Sequence, residues 1–76
     1  MKVISAKEYF NKLMTGEYIM FLPEGFDTTN PSKENFVGLM KKGDIDVRYY
    51  MSIFDMDKTN REKIINLAME YGLINV

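Results

Sequence analysis

Hydrophobic and polar positions along the chain fall into five patterned segments. In the first, Ala6, Tyr9, Phe10, Leu13 and Met14 recur at helical spacing. Ser5-Ala6-Lys7-Glu8 ahead of them is a capping box, in which the Ser5 hydroxyl accepts from the Glu8 amide and the Glu8 side chain reaches back. Ile4 and Tyr9 stand where a hydrophobic staple forms, and Gly16 suits the left-handed position past a helix end near Thr15. Tyr18 to Leu22 is an unbroken apolar run between Gly16 and Pro23, which predicts a strand buried on both faces.

Residues 23–29 read as a loop. Asn30-Pro31 then predicts a helix start, with Asn as cap and Pro in the first turn. Phe36, Val37, Leu39 and Met40 would be the apolar side of that helix, Lys41 and Lys42 suit its negative end, and Gly43 stops it. From Ile45 to Phe54 the pattern alternates: Ile45, Val47, Tyr49, Met51 and Ile53 share one face of a strand, and Asp46, Arg48, Tyr50, Ser52 and Phe54 share the other. Asp55-Met56-Asp57-Lys58 predicts a turn, and Thr59-Asn60-Arg61-Glu62 a second capping box. Ile64, Leu67, Ala68 and Tyr71, flanked by Ile65 and Met69, form the stripe of a last helix that Gly72 closes. Leu73 to Val76 is a short strand or an extended tail.

The implied fold is a small single α/β domain over residues 1–76, with helices about a short sheet in the order (β)αβαβα(β). Strands alternating with helices predict that 18–22 and 45–54 run parallel and are joined by a right-handed crossover.

Composition narrows the function classes. Ten basic and eleven acidic residues give a net charge of −1, without the basic excess of a dedicated nucleic-acid binder. With no cysteine and no histidine the chain lacks thiol chemistry, the commonest general base and the commonest metal ligands. No stretch approaches the ~18 apolar residues of a membrane span, and the first residues lack the apolar core of a signal peptide. The expected location is the cytoplasm. Seven methionines and ten aromatics point first to core filling and second to an adaptable binding surface.

The stretch Tyr50-Met51-Ser52-Ile53-Phe54-Asp55-Met56-Asp57, with Asn66-Leu67-Ala68-Met69-Glu70-Tyr71-Gly72-Leu73-Ile74-Asn75-Val76 after it, resembles part of a thioredoxin-like domain. There a central strand ends in acidic residues and a helix closes on a small residue, an aromatic and Gly. The resemblance implies the first two thirds of that fold. The family's CxxC would fall where Phe26-Asp27-Thr28-Thr29-Asn30-Pro31-Ser32-Lys33 stands, and its cis-proline and closing hairpin lie past Val76. Redox activity and site residues therefore do not carry over. A partial fold of this kind would leave a sheet edge open to another chain.

Asp55-Met56-Asp57-Lys58-Thr59 resembles the nucleophile motif of haloacid-dehalogenase-type phosphatases, in which two carboxylates hold magnesium and one attacks phosphate. Residues 60–76 are too few for that family's other motifs, and a polar turn running into a helix cap accounts for the same residues. A calcium loop fails at Asn60, where Gly is needed, and at Asn66, where Glu is needed. Lys41, Lys42, Arg48, Lys58, Arg61 and Lys63, with Tyr49 and Tyr50 for stacking, could face nucleic acid, but Asp44, Asp46, Asp55, Asp57 and Glu62 interleave with them.

These readings converge on a non-catalytic protein-interaction module, of the kind phages and mobile elements use as a small regulator or inhibitor of a host protein. The partner would be another protein, or a second copy through the sheet edge, with no cofactor, no metal and no membrane. Phe26, Asp27, Arg48, Tyr50 and Phe54 are the candidate interaction surface. A nucleic-acid-binding protein and a magnesium-dependent phosphotransfer fragment using Asp55 and Asp57 are the alternatives.

Overall fold

Ser5 ends its extended stretch with its hydroxyl accepting from the Glu8 amide at 3.2 Å, so α1 (Ala6–Met14) starts where the capping residues place it. Gly16, at φ +76°, turns the chain out of the helix. In the computed structural model, which describes residues 1–26, 35–71 and 73–74, α1 is followed by β1 (Tyr18–Leu22), β2 (Phe36–Lys41) and β3 (Asp44–Ser52). A 3-10 turn (Ile53–Asp55), α2 (Lys58–Tyr71) and β4 (Leu73–Ile74) complete the order. The molecule is mixed α/β.

The sheet runs β3-β2-β1-β4. β1 pairs antiparallel with β2, β2 antiparallel with β3, and β4 parallel with β1. Val3 adds a parallel bridge outside β3: Ile4 N–H donates to the Tyr50 carbonyl at 2.8 Å, and Tyr50 N–H to the Lys2 carbonyl at 2.9 Å.

Three expectations are corrected here. Phe36–Lys41 is the central strand and not a helix; the Asn30-Pro31 start proposed for that helix lies outside the described residues. Phe36-Val37-Gly38-Leu39-Met40 fits either period, because a strand covered on both faces shows no alternation. Burial decides it: residues 37 to 40 are all buried, which one face of a helix cannot achieve. Consequently no helical crossover links 18–22 to 45–54. They run in the same direction, separated by β2 in an antiparallel meander.

The second correction concerns β3. Its ladder holds from Ser52 opposite Phe36 to Arg48 opposite Met40, then jumps so that Lys41 faces Asp44. Ile45, Asp46 and Val47 bulge out of register, and Ile45 is 60 % exposed. Gly43, at φ +82°, closes the Lys42-Gly43 hairpin loop. At the other end the strand stops at Ser52, and Phe54 belongs to the 3-10 turn. Third, α2 is capped by Asp57 and not by Thr59: Asp57 Oδ1 accepts from the Asn60 amide at 2.9 Å, and the Asp57 carbonyl from the Arg61 amide.

Both helices cover one face of the sheet. Tyr9 of α1 and Ile64 and Ala68 of α2 join Ile4, Leu22, Val37, Leu39, Met51 and Ile53 in a single apolar cluster. Tyr9 is fully buried, and its hydroxyl donates to the Gly38 carbonyl in the central strand at 3.1 Å. Of the seven methionines, Met40 and Met51 are buried and Met20 and Met56 half-buried, whereas Met1, Met14 and Met69 are exposed.

Candidate functional site

The second face of the sheet is also apolar. Alternation along each strand sends Ile19 and Phe21 of β1, Phe36, Gly38 and Met40 of β2, and Arg48 and Tyr50 of β3 away from the helices. The register aligns them in two rows across the sheet, Phe21-Gly38-Tyr50 and Ile19-Met40-Arg48. Val3, bridged to Tyr50, extends the first row.

The centre of this face is built around the missing side chain of Gly38. The Phe21 ring lies over that glycine so closely that a Cβ there would run into its Cζ and Cε1 atoms. The Tyr50 ring meets Phe21 edge-on, with centroids 5.7 Å apart and planes at 78°. The Arg48 guanidinium carbon sits 5.5 Å from the centroid of the Phe21 ring. Arg48 also stitches the bulge, its Nε donating to the Ile45 carbonyl at 2.7 Å. Phe21 and Met40 are buried in the middle, Ile19, Phe36, Arg48 and Tyr50 are half-buried round them, and Val3 is 51 % exposed. The described helices lie on the opposite face.

Of the residues picked out by sequence, Arg48 and Tyr50 come together here. Phe26 does not join them: it packs against the helix-side cluster and lines a cavity of about 150 Å³ with Pro23, Glu24, Asn35 and Phe36. That volume is well below the ~300–1,000 Å³ usual for small-molecule sites. Asp27 lies outside the described residues. Phe54 is 40 % exposed on the 3-10 turn, with the Arg61 guanidinium carbon 5.3 Å from its ring centroid, and so stands outside the strand whose alternation grouped it with Tyr50. Sequence reading missed Phe21, Gly38, Ile19, Phe36 and Val3. The signal available was Gly38 itself, a glycine amid apolar residues that marks a close approach of a neighbour.

Chemically reactive groups are sparse. Among the described residues no three Asp or Glu side chains gather as a metal site. The Asp57 carboxylate is occupied by Asn60, through the amide at 2.9 Å and the side-chain Nδ2 at 3.4 Å, and Asp55 is exposed on the 3-10 turn. Burial pushes the Tyr9 phenol well above its ordinary value, which keeps it neutral as a donor to Gly38. No described helix is long and apolar enough to cross a membrane. Compared with protein-family models, curated proteins and solved structures, the chain matches none.

Proposed function

We propose that the chain is a protein-interaction module, a small regulator or inhibitor that docks an apolar patch of a partner protein on the face of its sheet opposite the two described helices. The observation that supports this most is the second apolar face: Val3, Ile19, Phe36 and Tyr50 ring the buried Phe21 and Met40 on the side away from both described helices. Partly exposed aromatic and aliphatic groups around a rigid buried centre are the makings of an interface hot spot. Docking on this face takes no support from the thioredoxin-like resemblance, because β2 stands where that resemblance puts a helix. Asp57 caps α2, which favours the interaction reading over the phosphotransfer alternative.

The test is capture of a partner from a lysate, followed by hydrogen exchange on the purified complex. Protection of residues 19–21, 36–40 and 48–50, together with loss of the complex in Ile19→Glu and Val3→Glu variants that keep the parent circular dichroism, supports the reading. A complex that survives both substitutions and protects other residues refutes it. Binding that an oligonucleotide competes away and that weakens steeply with salt would assign the nucleic-acid alternative instead.

A further inference from the structure

Lys2 and Lys12 converge on one aromatic ring at the helix side of the molecule. Lys2 Nζ is 5.2 Å and Lys12 Nζ 4.3 Å from the Tyr49 ring centroid, and Lys12 Nζ is also 5.6 Å from that of Tyr18. The two rings meet edge-on at 6.0 Å. Three separate parts of the chain build this cluster: the segment bridged to β3 brings Lys2, the last turn of α1 brings Lys12, and the sheet supplies both tyrosines. Tyr18 and Tyr49 are half-buried against the core, so the rings form a fixed floor.

Two ammonium groups near one ring centroid lie within about 10 Å of each other, a separation over which like charges still repel at 0.1 M salt. Among the described residues neither lysine has a carboxylate partner, although Glu8 stands one turn before Lys12 on α1. Attraction to the ring holds each ammonium beside it, and an N–H group turned away from the ring can still donate to a ligand. Two ammonium groups that share an aromatic neighbour and have no carboxylate partner among the described residues are complementary to a compact, multiply charged oxyanion, and Lys binds phosphate as a point charge.

We propose that Lys2 and Lys12, beside Tyr49, form a binding site for a phosphate or diphosphate group. The site lies on the side of the sheet opposite the proposed protein-docking face, so either can exist without the other.

The experiment is a titration of the whole chain with pyrophosphate, and separately with inorganic phosphate, followed by NMR at constant ionic strength set by sodium chloride. Saturating shifts at Lys2, Lys12, Tyr18 and Tyr49 with either probe are expected. Lys12→Gln should weaken binding by about tenfold or more, the effect of one charge-assisted hydrogen bond, and Lys2→Gln/Lys12→Gln should abolish it. Lys12→Arg, which keeps the charge and the ring contact, should retain binding. Shifts that fail to saturate with both probes, or that survive in the double glutamine variant with its spectrum otherwise intact, overturn the proposal.

Discussion

Tyr9 carries one polar atom into the middle of the core, and its hydroxyl has one protein acceptor there, the Gly38 carbonyl. Tyr9→Phe removes the donor and should lower stability by about 1 kcal/mol in urea unfolding, the usual net value of one such bond. Because burial raises the phenol's folded-state pKa above its unfolded value near 10, the unfolded chain gives up its proton first as pH rises. The contribution of Tyr9 is therefore complete below about pH 10 and declines above it, by up to ~1.4 kcal/mol per pH unit. Urea midpoints between pH 8 and 11 should show this decline in the parent and a shallower one in Tyr9→Phe. Gly38 is held by space and not by backbone conformation. Gly38→Ala drives a methyl into the Phe21 ring and should destabilise by roughly 1–3 kcal/mol. The same substitution beside Phe21→Leu, where the ring is gone, should show a smaller additional loss in a double-mutant cycle.

At the scale of elements, the start of α2 separates two readings of the same residues. Asp57→Ala should destabilise by about 1 kcal/mol, whereas Thr59→Ala, at an exposed position already inside the helix, should stay within about 0.5 kcal/mol; denaturant midpoints distinguish the two. Thr59-x-x-Glu62 satisfies a capping pattern in sequence, but the 3-10 turn over Ile53–Asp55 delivers the chain to the helix earlier. Local signals that act alone were legible. Ser5 with Glu8 set the start of α1, and the apolar run between Gly16 and Pro23 set β1. The alternation from Tyr49 to Met51 set the register faces of β3 but passed unbroken through Ile45–Val47, where pairing fails. Alternation reports the pleat of one strand and carries no information about where its partner slips.

For the whole molecule, mixed α/β architecture followed from counting patterned segments, while strand order did not. The position of β2 between β1 and β3 depends on contacts between residues far apart in sequence, such as Gly38 with both Phe21 and Tyr50. The candidate face was half legible for the same reason. Arg48 and Tyr50 share a strand and could be grouped by period, but Val3, Ile19 and Phe36 reach them only once the sheet is assembled. Phe54 was misplaced because the alternation does not show where a strand turns into a 3-10 helix.

The pairing of Val3 with Tyr50 has a consequence for the order of events during synthesis. A ribosome adding ~5–20 residues per second produces Tyr50 roughly 2 to 10 s after Val3. In that interval the segment from Lys2 to Ile4 has no strand to lie beside, and α1, nine residues long, is too short to persist in water on its own. The segment from Lys2 to Ile4 is thus made well before the strand it pairs with, and it settles only after the β2-β3 hairpin has emerged to receive it.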